Sequence, residues 1–75
     1  MKKIGYFSHK SASGRLIVKI SDQVKPPKLG VKVFTSNGRV VGQLIDVIGP
    51  VRRPYAVVRP SAIDTTLEPL EELYV

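Results

Sequence analysis

Few residues in this chain have types and spacing that suit chemistry. They are His9 among Ser8, Ser11 and Ser13, the carboxylates Asp22 and Asp46, and the basic, proline-bordered stretch IGPVRRPYAVV from Ile48 to Val58. Serine catalysis needs a base and a carboxylate to orient it. The serines around His9 have no carboxylate near them in sequence, and small polar clusters of this kind ordinarily hydrogen-bond their own turn. Glycosidic or aspartic chemistry needs paired carboxylates. Here only Asp22 and Asp46 precede residue 64, with Asp22 expected in a connection and Asp46 in a strand, at an exposed edge or bonded to loop amides. With no cysteine and one histidine, a thiolate site is excluded and a zinc or iron centre is not expected. Glycine-rich phosphate loops of the Walker or dinucleotide type are missing. The expectation is therefore no catalytic residue, no metal and no cofactor.

The remaining candidate is the proline-bordered stretch. Gly49 and Pro50 stop an apolar run that began at Arg39, and Pro54 with Tyr55 starts the next one, leaving Val51, Arg52 and Arg53 between two prolines. Proline fixes its own φ and pushes the preceding residue toward extended geometry, so this loop is stiff. A stiff, basic loop bordered by an aromatic is suited to being touched by a partner. The alternative is that Gly49, Pro50 and Pro54 only terminate strand pairing and Tyr55 covers a barrel end. Composition leaves both open.

Charge narrows the classes of partner. All 12 basic residues lie within residues 1–63 with only Asp22 and Asp46 against them, 12 − 2 = +10, whereas residues 64–75 carry Asp64, Glu68, Glu71 and Glu72 and no base, a net of −4. A basic body with an acidic tail is drawn to RNA or to an acidic protein surface. A solubilising lysine-rich surface has the same composition. No apolar run approaches the ~18 residues of a membrane span, and MKKIGYFSHK breaks before a signal-type stretch forms. A single cytoplasmic domain over residues 1–75, with no membrane partner, is the expectation. A chain of this size buries only about 60 to 65% of its unfolded surface, so its core must be economical.

The elements that must position the loop are short strands. Ile4 to Phe7 is apolar and aromatic, HKSASG (His9 to Gly14) is a loop, and in Arg15 to Ile20 the residues Leu16, Val18 and Ile20 alternate with Arg15, Ile17 and Lys19, which makes a hairpin. Ser21 to Leu29, with tandem Pro26 and Pro27, is a connection. Lys32 to Phe34 leads to Asn37-Gly38, a type I′ turn signal in which both central residues take positive φ. Arg39 to Ile48 follows, apolar on both faces and therefore a central strand, with Gly42 marking a bulge or tight bend. Tyr55 to Arg59 is ended by Pro60. Thr66 to Leu73 has room for one helical turn, and Leu73 to Val75 forms a last strand. About six short strands without an ordinary helix point to an all-β, closed or nearly closed barrel, because closure removes exposed edges.

Two kinds of binding module fit such a barrel. RNA-binding barrels expose aromatic platforms among basic residues. Tyr6, Phe7 and Tyr55 are the candidates, but Tyr6 and Phe7 are adjacent on one strand and point to opposite faces, so only one of them can join Tyr55 outside. Ile48, Val51, Pro54, Tyr55 and Val57 make an apolar, proline-stiffened patch with Arg52 and Arg53 at its rim, a composition that protein interfaces favour.

At these residues the chain resembles the archaeal glycine-arginine-rich-protein core subunit of H/ACA ribonucleoproteins. The resemblance is carried by SGRLIVK (Ser13 to Lys19), PKLGVKVF (Pro27 to Phe34), VGQLIDVIGPVRRPYAVVRP (Val41 to Pro60) and LYV (Leu73 to Val75). The third block is the specific one, whereas many translation-factor-like barrels have a proline, a glycine and a valine where PKLGVKV stands. The resemblance implies a six-stranded barrel like the second domain of translation elongation factors. It implies a non-catalytic partner of an RNA-guided pseudouridine synthase of the TruB and dyskerin kind, docked on the catalytic subunit, with contact to the guide RNA mostly indirect. That subunit would assist substrate loading and product release in rRNA pseudouridylation. The docking residues it implies are Gly49, Pro50, Val51, Pro54 and Tyr55, with Val57 beside them and Arg52 and Arg53 within the loop. The arginine-glycine-rich tails of eukaryotic relatives are absent from this chain. The alternative is an RNA-binding barrel acting in ribosome maturation or as a ribosomal component.

Overall fold

In the second strand Leu16, Val18 and Ile20 are buried in the core and Lys19 faces out, while Ile17 lies outside the core cluster yet is covered. The computed structural model describes residues 2–21, 28–50, 52–62 and 67–75. Six strands run in these residues: β1 Lys3–Lys10, β2 Leu16–Ile20, β3 Lys32–Thr35, β4 Val40–Ile48, β5 Tyr55–Pro60 and β6 Glu72–Tyr74. All pairings are antiparallel, and the order β1-β2-β5-β4-β3-β6 closes on itself as a barrel. The all-β expectation holds. Closure leaves no strand with an open edge, which answers the aggregation hazard of a short all-β chain. The connection read through Pro26 and Pro27 lies mostly outside the described residues.

The core comprises Ile4, Phe7, Leu16, Val18, Ile20, Val33, Val41, Leu44, Ala56, Val58 and Leu73. In β4 the inward residues are Val41, Leu44 and Val47, three apart instead of two. The pairing slips between Val33 and Phe34 on the β3 side and between Leu44 and Asp46 on the β5 side, and each slip inserts one residue that resets the parity. The apolar character of Arg39 to Ile48 thus comes from two irregularities, not from two covered faces, and it leaves Ile48 outside at 45% exposure. Gly42 lies at the first slip, as expected of a bulge marker. A Cβ there would sit 2.1 Å from the Arg59 carbonyl oxygen, and one at Gly5 would sit 1.9 Å from that of Lys19.

The hairpin turns differ from the type I′ expectation. In the β3–β4 turn the Gly38 N–H donates to the Thr35 carbonyl at 3.0 Å and the Thr35 N–H donates to the Arg39 carbonyl at 2.9 Å. Gly38 has φ 88°, whereas Asn37 is not at positive φ. This is a type I turn followed by a left-handed glycine, a three-residue loop. The cause is Thr35: its hydroxyl donates to the Asn37 side-chain oxygen and accepts from the Arg39 N–H, so Asn37 works through its amide and needs no left-handed backbone. The β1–β2 turn repeats the scheme, with Gly14 N–H to Ser11 O at 2.9 Å, Ser11 N–H to Arg15 O at 2.8 Å and Gly14 at φ 85°. Because that turn is tight, β1 continues through His9 and Lys10, which the sequence had suggested as loop.

The expected helical turn within Thr66 to Leu73 is not formed over its described part. The Glu71 N–H donates to the Glu68 carbonyl at 3.1 Å with Pro69 and Leu70 between, and Leu70 takes φ 64°. Proline second and a positive φ third is the pattern of a type II turn. Thr66 lies outside the described residues.

Candidate functional site

The proline loop spans Gly49 to Pro54 between the paired ends Ile48 and Tyr55. Gly49 has φ 95°, a conformation that L side chains rarely adopt, and a Cβ on it would lie 2.9 Å from the Arg53 carbonyl oxygen and 3.5 Å from the Tyr55 ring. The Arg53 N–H donates to the Pro50 carbonyl at 3.0 Å, which closes the turn, and the Pro54 carbonyl accepts the Ile20 N–H at 3.2 Å, which ties it to the end of β2. The loop is therefore folded on itself and anchored to the wall. Pro50, Arg52 and Arg53 are exposed, and Pro54 and Tyr55 are half-buried. Val51 lies outside the described residues. Val57 is 8% exposed and absent from the core, so it sits beneath the outer surface and supports it.

Strand register extends this site in a way the sequence did not reveal. Directly opposed residues share a face, and the pairings Glu72–Tyr6, Tyr6–Lys19, Lys19–Tyr55 and Tyr55–Ile48 form one outer row across β6, β1, β2, β5 and β4. Phe7 points into the core, so it is Tyr6 that joins Tyr55 outside, with the Lys19 stem between the two rings. Only a known register brings positions 6, 19, 48 and 55 together. The row ends in a polar contact: the Tyr74 hydroxyl donates to Glu72 at 2.9 Å, and Lys3 Nζ lies 3.5 Å from the same carboxylate. The Tyr74 hydrogen bond and then the Lys3 charge hold the Glu72 carboxyl below its ordinary range, and bonding to Glu72 pushes the Tyr74 phenol up.

The other candidates are occupied locally. Ser8 Oγ lies 3.0 Å from His9 Nδ1, Ser11 Oγ lies 3.0 Å from Ser13 Oγ, and Ser11 Oγ also accepts the Arg15 N–H at 3.1 Å. Those contacts shape the hairpin turn. Asp46 is exposed and accepts its neighbour's N–H, Val47 N to Oδ1, at 2.8 Å beside the β4 slip. Asp22 lies outside the described residues. No group of three His, Cys, Asp or Glu that could hold a metal occurs among the described residues, and no helix is long and apolar enough to cross a membrane.

A closed barrel that presents a braced proline loop and an aromatic row on a basic surface has the features of a small binding module. The family described as the Gar1/Naf1 RNA binding region matches residues 1–75. An uncharacterized protein of Methanothermobacter thermautotrophicus is 44% identical over 61 residues, which are 81% of this chain and 63% of that protein. The chain thus spans less than two thirds of the length of that relative. It belongs to the Gar1/Naf1 family, whose matched region is described as RNA binding.

Proposed function

We propose that this chain is a non-catalytic subunit of an H/ACA RNA-guided pseudouridine synthase complex, and that the Gly49–Pro54 loop with Tyr55 docks on the catalytic subunit. The observation that carries the proposal is the pairing of Ile48, 45% exposed, with Tyr55 at the base of a loop held by Gly49, Pro50 and Pro54. An exposed aliphatic beside an aromatic, on backbone already fixed, loses little conformational freedom on binding. Arg52 and Arg53 lie exposed at its rim, where they steer encounter more than they hold the complex. The docked subunit then assists substrate loading and product release, steps that limit turnover in many enzymes.

The test is binding of the purified chain to a pseudouridine synthase of the TruB and dyskerin kind across a salt series. Tyr55→Ala weakens the complex about thirtyfold, the ~2 kcal/mol of an aromatic hot spot. Arg52→Ala with Arg53→Ala slows association and reduces its salt dependence. Adding the wild-type chain raises multiple-turnover rate more than first-turnover rate. Unimpaired binding by Tyr55→Ala refutes this docking surface, and stable binding to ribosomal RNA with no synthase affinity favours the ribosome-maturation alternative.

A further inference from the structure

The strongest charged feature outside the docking loop lies at the other end of β5. Lys32, Gln43 and Arg59 are directly opposed across β3, β4 and β5, so they form one outer row. A cleft of about 540 Å³ continues from Arg59 to Arg15 and Lys10, and a second of about 310 Å³ joins Arg59 to Lys32. The two clefts share Arg59, Pro60 and Ser61, so they lie side by side with Arg59 between them as a two-part groove. Arg59 is oriented by its neighbour: its Nη2 donates to Gln43 Oε1 at 2.9 Å, and Gln43 Nε2 donates to the Gly30 carbonyl at 2.9 Å. Among the described residues lining the groove there is no carboxylate and no aromatic.

We propose that this groove holds the sugar–phosphate backbone of single-stranded RNA, with Lys10, Arg15, Arg59 and Lys32 each facing a phosphate. With no aromatic ring in the groove for bases to stack on, its cations meet the backbone, where contacts position the strand without carrying sequence information. A protein partner would need large buried anchors, and the groove has none. Lys32, Gln43 and Arg59 follow one another from strand to strand at ~4.8 Å spacing over a curved wall, with Arg15 and Lys10 beyond Arg59 in the larger cleft, a path that a flexible single strand follows and a stiff duplex touches only in passing. Gln43 is a positioning residue that presents the Arg59 guanidinium. The proposal rests on the RNA-binding character of the family and deepens it, and it is independent of the docking loop.

The experiment measures binding of a fluorescein-labelled uridine oligomer to the purified chain between about 50 and 200 mM salt. Four phosphate contacts at about −0.7 each give the wild type a log–log salt slope near −3, roughly a fiftyfold loss over that range. The double variant Arg15→Gln/Arg59→Gln flattens the slope to about half and loses roughly sevenfold over the same range. Gln43→Ala weakens binding with the slope unchanged, because it removes no charge. Arg52→Gln/Arg53→Gln leaves the slope unchanged as well. Urea midpoints of all variants check that the barrel is intact. If the wild type binds RNA and the Arg15/Arg59 variant keeps its slope, the groove is refuted while the RNA-binding role stands. If the slope is lost with Arg52 and Arg53 instead, or the wild type fails to bind the oligomer at low salt, the groove is refuted too. Synthase docking is measured separately and is touched by none of these outcomes.

Discussion

Gly42→Ala isolates the closest backbone approach that bears on the RNA groove. Gly42 pairs with Val33 on one side and Pro60 on the other, and a methyl added to it would meet the Arg59 carbonyl oxygen at 2.1 Å, the Arg59 carbonyl carbon at 2.9 Å and the Pro60 Cα at 3.0 Å. All three are backbone atoms of one strand, so no side chain can swing away. Relief requires β5 to retreat by roughly 1 Å, when a radial shift of even that size already forfeits a large part of each van der Waals contact. Overpacking of this kind costs about 1 to 3 kcal/mol, and a strained ladder hydrogen bond adds about 1. Against this, Gly42 is not at positive φ, so alanine fits its backbone and gains about 0.4 to 1 kcal/mol through the unfolded chain. The steric term wins, and the net loss is about 1 to 3.5 kcal/mol. For a domain of this size that lowers Tm by at least about 4 °C. Equilibrium urea unfolding followed by circular dichroism reads it as a lower midpoint at constant m-value. A Gly42→Ala midpoint at or above wild type would refute the close approach of β4 and β5, and with it the placement of Arg59 beside Gln43.

Leu70 is 68% exposed at φ 64°, where a leucine costs about 1 to 2 kcal/mol, so Leu70→Gly raises the urea midpoint even after glycine's entropic cost of about 0.5 to 1; a drop would contradict the type II turn. The Glu72 carboxyl is held low, so its contribution to stability is present above the ordinary carboxylate range and is lost as pH falls through the lowered value. The Tyr74 phenol is raised, so its contribution is present below the ordinary phenol range and is lost as pH rises through the raised value. Urea midpoints against pH then show Tyr74→Phe with a shallower alkaline limb and Glu72→Gln with a shallower acid limb, and unchanged limbs would refute the contact. Leu44→Ala, at a core position with 0% exposure, costs about 2 to 5 kcal/mol in the same assay, and a loss below about 1 would mean that Leu44 faces out. Tyr55→Ala and Arg59→Gln act additively when synthase and RNA binding are measured in one double-mutant cycle, because four residues of strand separate them by ~13 Å.

The alternation of Leu16, Val18 and Ile20 made β2 and its inner face readable directly, and Asn37-Gly38 marked the turn between β3 and β4. What was not readable depended on partners far away in sequence. The inward residues of β4 recur every three positions because β3 and β5 impose separate slips; Gly42 signals the first, and nothing in Val40–Ile48 alone signals the second. The type I′ reading of Asn37-Gly38 failed because a threonine two residues upstream claims the Asn37 amide. Nothing in the sequence singled out Leu70 for a positive φ, since leucine is unusual there. The proline loop was legible because its residues are contiguous. The Lys10, Arg15, Arg59 and Lys32 groove was not, because its cations converge only through barrel closure.

Closure also explains how so small a chain has room for both proposed binding surfaces. An outward side chain in a closed barrel contributes little to the core, so the outer face can take cations and aromatics at slight cost to folding, provided that each stem covers its neighbours. Ile17 and Val57 show this provision: they are directly opposed on the outer face yet only 8% exposed, flanked along their strands by Lys19 and Tyr55 toward the docking loop and by Arg15 and Arg59 toward the groove. The same outer apolar pair underlies both surfaces. β5 begins with Tyr55 at the loop and carries Arg59 next to its last residue, at the groove. β2 and β4 pair along both sides of this strand. The proposed docking surface and the proposed groove thus lie at opposite ends of one doubly paired strand, an arrangement that suits the positioning of a protein against an RNA.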